Sequence, residues 1–193
     1  MFDSSSSWQR AGFDVDAGRE GGKSDIMVAT HPSVPGVLFK KYSQKVSLKN
    51  QLENYTRRVK GAQKLRELID AERLTKIAVP VKHLYELPSA FSRKGHNDHI
   101  LVVERLLLVD KVTCRRMYGR LDDETLRQLC VVVSEIRGLS AGPRNLPFTS
   151  DGRIAFIDTE RWASGHKGPP LQRIRDYLTD AHKRYVDSLF PPQ

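Results

Sequence analysis

From Ser47 to Leu74 no proline interrupts the chain, and Leu48, Leu52, Tyr55, Val59, Ala62, Leu65, Leu68 and Ile69 recur at spacings of three and four. That period lays one apolar stripe along an amphipathic helix. The other face carries Lys49, Glu53, Arg57, Arg58, Lys60, Lys64, Arg66 and Glu67. Gly61 falls in mid-helix, where it costs about 1 kcal/mol relative to Ala, which points to close packing. The flanking segments read as strands. DIMVATHP (25–32) and VLFKKY (37–42), joined by the turn signal SVPG, predict a hairpin. IAVPVKHLYELP (77–88) predicts a strand pair or a strand and turn, with Pro80 marking an edge. HILVVERL (99–106) is continuously apolar up to Glu104, as a central strand buried on both faces would be.

The second half is mostly helical. Over 122–138, Asp122 suits an N-cap, Asp123 and Glu124 the first turn, and Leu126, Leu129, Cys130, Val133 and Ile136 an apolar stripe. NLPF and RIAFID predict short extended runs around Ser150-Asp151-Gly152, and a last helix covers about 171–189. Residues 1–12 are Ser-rich and terminal, so they are expected to fray. The class is α+β, with a flexible 1–12, a first lobe over 13–106 and a second over 107–193.

Composition narrows the classes. No apolar run approaches the ~18–20 residues of a membrane span, and MFDSSSSWQR has neither the basic nor the apolar region of a signal peptide. Two cysteines, Cys114 and Cys130, make no disulfide framework and fit packing roles in a reducing compartment. A cytoplasmic location is expected, or export by a route that needs no signal peptide. The 32 Lys+Arg against 23 Asp+Glu, formally +9, suit an anionic partner: nucleotide, nucleic acid, acidic protein or membrane surface.

The segment GLSAGPRNLPFTSDGRIAFIDTE (138–160) carries the most chemistry. It resembles the protein-kinase-like superfamily, which includes small-molecule kinases related to aminoglycoside and choline kinases. Pro143 and Asn145 match the end of that family's catalytic loop, Asp151-Gly152 its turn, Ile154 to Ile157 its second strand, and Asp158 its metal-binding Asp. The resemblance implies a bilobal fold with a small antiparallel sheet and one long helix in the N-lobe, above a reduced, mostly helical C-lobe. It implies ATP as ligand and Mg²⁺ (or Mn²⁺) as cofactor, because the moving phosphoryl group needs its charge neutralised. Magnesium takes oxygen donors, a few from side chains and the rest from phosphates and water. Asn145 and Asp158 are the expected metal ligands, with Glu160, two residues on, sharing the side of Asp158 in an extended chain and assisting catalysis.

The same resemblance gives roles upstream. VLFKKY matches the strand of the phosphate-binding Lys; Leu38 and Lys40 share one face, so Lys40 is favoured, with Lys41 the alternative. Glu53 on the long helix is its expected carboxylate partner, with Glu67 as alternative. Glu104-Arg105-Leu106 matches the segment whose backbone reads an adenine edge. One position departs: where the family places its catalytic Asp, five residues before Asn145, this chain has Ser140. A Ser hydroxyl is no general base near neutral pH without activation. A pseudokinase is one outcome; a borrowed carboxylate such as Glu160, or a shifted loop, are others.

AGREGGKS (17–24) fits a loose P-loop pattern, but FDVD before it is too acidic and short for a buried strand, and Pro32 stops a following helix. Gly18, Gly21 and Gly22 suit a turn over phosphates instead. His96 and His99 find no partners for a zinc site. A reading from another class treats the chain as a non-enzymatic basic module that binds nucleic acid or an acidic protein through the 57–66 face. The acceptor of any phosphate, protein or small molecule, is left open.

Overall fold

Alternation along VLFKKY decides the first sheet, because successive side chains must serve two covered faces. The computed structural model describes residues 4–16, 26–42, 46–88, 98–136, 142–162 and 171–190. In chain order the elements are α1 (Ser5–Arg10), β1 (Asp14–Val15), β2 (Ile26–Thr30), β3 (Val37–Tyr42), α2 (Leu48–Glu72), β4 (Ile77–Ala78), β5 (Lys82–Glu86), β6 (His99–Glu104), α3 (Lys111–Tyr118), α4 (Asp123–Glu135), β7 (Ile154–Ala155), α5 (Gln172–Arg175) and α6 (Asp180–Leu189). The fold is α+β. The chain divides into two compact units, Met1–Val59 with Val81–Arg105, and Lys60–Pro80 with Leu106–Gln193. The second half of α2 and β4 therefore group with the second unit, whereas the sequence assigns them to the first lobe.

In the first unit β1-β2-β3-β6-β5 form a five-stranded sheet, each neighbouring pair antiparallel. Ala29, Phe39 and Ile100 face a cluster with Trp8 and Val15. Leu38, Tyr42, Leu101 and Val103 face the other way, packed with Tyr55 and Val59 of α2. Both faces are covered, which is why β6 reads as an unbroken apolar run. The Tyr42 N–H donates to the buried Tyr55 hydroxyl at 2.7 Å, tying β3 to the first half of α2. Residues 5–10 correct the expectation of a frayed terminus. Ser4 caps α1 through a capping box, and Trp8 is fully buried against Phe13 at 4.8 Å. One large aromatic anchors this end of the chain, a signal that serine content hides.

In the second unit β4 and β7 pair in parallel, Ile77 opposite Ile154 and Ala78 opposite Ala155. They sit in a core of Leu65, Tyr118, Leu126, Leu129, Phe148 and Phe156 among others. The buried Gln128 of α4 accepts from the Lys76 N–H at 2.7 Å and so fixes the entry to β4. The end of α2 is closed by Arg73 at φ 52, with Arg73 N–H donating to Asp70 O and Leu74 N–H to Ile69 O. This is a Schellman closure with Arg where Gly is favoured, at the cost of a left-handed backbone. The helix expected over 171–189 is two, α5 and α6, because Thr179 takes an N-cap role and accepts from His182 N–H at 3.2 Å. The sequence had no helix at 111–118, where α3 forms. Among the described residues no helix is long and apolar enough to cross a membrane.

Candidate functional site

A hairpin at 145–157 begins at one of the two residues expected to hold a metal, Asn145, and leads directly into the other, Asp158. Its ladder runs from Thr149 N–H to Arg153 O at 2.8 Å, through Ala155 N–H to Pro147 O at 2.8 Å, to Ile157 N–H donating to Asn145 O at 3.2 Å. At the tight end Gly152 adopts φ 87, a left-handed turn position that suits Gly. Asp151 there accepts from Arg153 Nε at 3.0 Å, and this contact, with one from Thr149, pulls its carboxyl down to about 2. At the open end Asn145 stands directly across from Ile157, one residue before Asp158. Strand β4 on one side and the backbone of 107–109 on the other hold the hairpin in place. Ile154 N–H donates to Lys76 O and Phe156 N–H to Ala78 O on the β4 side, while Val109 N–H reaches Phe148 O on the other. Tyr118, fully buried, donates its hydroxyl to Leu146 O, and burial pushes its phenol well up. The strands of the hairpin therefore rest on core contacts rather than on a mobile loop.

Beyond β7 the chain bends. The Glu160 N–H donates to Asp158 Oδ1 at 3.3 Å, and Glu160 to Trp162 form a turn. The alternation that would put Glu160 on the side of Asp158 does not hold through a turn; its nearness to Asp158 comes from this bend instead. Gly61 of α2 explains the geometry here. A Cβ at Gly61 would lie 2.2 Å from Thr159 O and 2.6 Å from Trp162 Cδ1. The helix backbone thus presses on the residue after Asp158, and only Gly permits it. The sequence marked Gly61 for close packing but not its partner. Asp158 and Glu160 are half-buried, and Thr159 between them is fully buried.

The remaining candidates lie upstream. Lys40 sits in β3 opposite Val28 and Leu101, on the face with Leu38 and Tyr42 that α2 covers. Lys41 is on the reverse face and buried. This separates the two lysines that the sequence left as alternatives. Glu53 is half-exposed and paired with Arg57 one turn on, and Glu67 is paired with Lys64 at 3.0 Å. Both carboxylates are thus engaged within α2 itself. A residue the sequence passed over is Lys82 of β5, buried and opposite Val103 on the α2 side of the sheet. A Lys in the middle of VPVKHL was the available signal.

Glu104 ends β6: its Oε2 accepts from Val81 N–H at 2.9 Å, and its own N–H donates to Val81 O. Arg105 N–H is spent on Gly36 O at 2.9 Å. In the 104–106 segment, whose backbone was expected to read an adenine edge, the Glu104 and Arg105 N–H groups are therefore already used.

Ser140, Gly18, Gly21, Gly22 and His96 lie outside the described residues. Cys114 and Cys130 are buried, and burial raises both thiols, Cys130 to about 12, so they act as packing groups. Among the described residues no three His, Cys, Asp or Glu side chains gather to hold a metal. A pair of hard oxygen donors, one amide and one carboxylate, still suits Mg²⁺ when phosphates and water complete the shell. Neither a scan against protein-family models nor a search of curated proteins finds a match to this chain.

Proposed function

We propose that this is a diverged kinase-like protein that binds ATP together with Mg²⁺ or Mn²⁺. The observation that supports the reading is the backbone hydrogen bond from Ile157 N–H to Asn145 O at 3.2 Å, which brings the main chain of Asn145 next to the residue that precedes Asp158. Asn145 and Asp158 would hold the cation, which neutralises triphosphate charge when bound. Lys40 supplies a cation to the phosphates, Glu53 is freed from Arg57 only if it turns to serve Lys40, and Leu106 offers backbone to the base. The α+β make-up and the long helix beside a five-stranded sheet agree with a kinase-like bilobal fold. Transfer of phosphate to a protein or a small molecule needs a base other than Ser140; Glu160, held beside Asp158 by the turn, is the nearest carboxylate in sequence. Without one, the protein is a pseudokinase that holds nucleotide.

The test is thermal unfolding with ATP, with and without Mg²⁺. A ligand that binds only the native state raises Tm, by several degrees at ~100-fold excess over Kd. The rise is expected to need the cation and to vanish in Asp158→Ala. Unchanged nucleotide affinity in calorimetry of Asp158→Ala would overturn the metal assignment.

A further inference from the structure

At the other end of the hairpin a cleft of about 290 Å³ opens between α3, the first turn of α4 and the 148–152 turn. Its lining includes Arg116 and Arg120, with Met117, Leu121 and Phe148 as an apolar floor. Neither guanidinium makes a hydrogen bond or ion pair among the described residues. Three other arginines of this unit do: Arg127 binds Glu124 at 2.7 Å, Arg153 binds Asp151 at 2.8 Å and Arg175 binds Asp187 at 2.6 Å. Even Arg115, beside Arg116, stacks on Tyr177 at 5.9 Å. The one carboxylate of the cleft is committed elsewhere. Asp122 accepts from Thr125 N–H at 2.7 Å and from Thr125 Oγ1 at 2.9 Å, and Lys76 Nζ lies 3.8 Å away.

Both guanidiniums line the same cleft, where one oxyanion would be attracted by the two charges together. The planar fork of Arg matches phosphate in a bidentate way. We propose that this cleft binds a compact phosphomonoester, its phosphate bridging Arg116 and Arg120 and its carbon body resting on Met117, Leu121 and Phe148. The volume is at the small end for ligand pockets, so the body is no larger than a single ring. The site is separate from Asn145 and Asp158 and does not depend on the nucleotide reading.

The probes are phenyl phosphate and inorganic phosphate, titrated calorimetrically in EDTA at low salt. Saturable binding is expected, tighter for phenyl phosphate, weakened about tenfold or more in Arg116→Gln/Arg120→Gln, and unchanged in Asp158→Ala and in the α2 surface control Arg66→Gln. Amide shifts on the wild-type protein under phenyl phosphate are expected to centre on 113–125 and 148–152, a readout that needs no variant to fold. No saturable binding, shifts centred elsewhere, or an affinity in the double variant within twofold of wild type would each overturn the proposal.

Discussion

Gly61 shows two residue-scale forces in direct opposition. In an exposed helix position Gly→Ala gains about 1 kcal/mol from backbone entropy. Here the added methyl would stand 2.2 Å from a backbone carbonyl, that of Thr159, which no rotamer change can move aside. Overpacking of this kind costs about 1–3 kcal/mol, and a contact with main chain belongs at the upper end. Gly61→Ala is therefore expected to destabilise by about 1–2 kcal/mol net in urea unfolding, and to lower hydrogen-exchange protection at 158–162. A gain of stability would mean that α2 does not press on that segment. The strain would fall on the residue after Asp158, so the same substitution is expected to weaken Mg²⁺-dependent nucleotide binding with no change to any ligand.

Caps decide the helices of the second unit. Asp122 holds the start of α4 through Thr125, and the Thr125 N–H bond is the main cause of a carboxyl held below its ordinary value. Replacing it by Ala is expected to cost about 1 kcal/mol at pH 7. The group titrates lower in the folded chain than in the unfolded one. Its contribution is thus complete above the unfolded value near 4 and is lost as the pH falls through the folded value. The difference between wild type and Asp122→Ala in urea unfolding should be full at pH 6–7 and shrink as the pH falls below the unfolded value; a difference that does not shrink on acidification would mean that Asp122 acts by packing. This cap was legible in the sequence, as were β2, β3, β6 and α2, where period and punctuation agree. Helix α3 was not: KVTCRRMY has β-branched residues and Cys, poor helix formers, and its one signal is Asp110, which caps it by accepting from Val112 and Thr113 N–H. Nor was the parallel pairing of β4 with β7, since two-residue strands far apart in sequence leave no periodic trace. The hairpin of Asn145 and Asp158 was readable because turn, strands and acid lie within one short segment. The Gly61 contact joins residues about a hundred positions apart, and nothing local announces it.

Charge is the property of the whole molecule, and it separates the nucleotide reading from the basic-module one. The formal +9 does not lie bare on α2. Between Glu53 and Glu67 five Lys and Arg share the helix with two Glu, and Arg57 and Lys64 are each paired to one of them. Such surface pairs contribute only tenths of a kcal/mol, so phosphates could break them. The carboxylates nevertheless stay on that face and repel the same phosphates. At most about three phosphate contacts remain, which for a single strand gives a slope of log K against log salt of about −2. Fluorescence anisotropy with a 20-nucleotide strand at two salt concentrations is expected to show weak binding with that shallow slope. ATP binding, by contrast, is expected under the proposed reading to follow Mg²⁺ more than ionic strength, because its cation would be held by an amide and an acid rather than by a diffuse field. A slope steeper than about −5, together with strand affinity unaffected by Asn145→Ala and Asp158→Ala and no effect of ATP on Tm, would instead make the protein a nucleic-acid-binding module whose hairpin is purely structural.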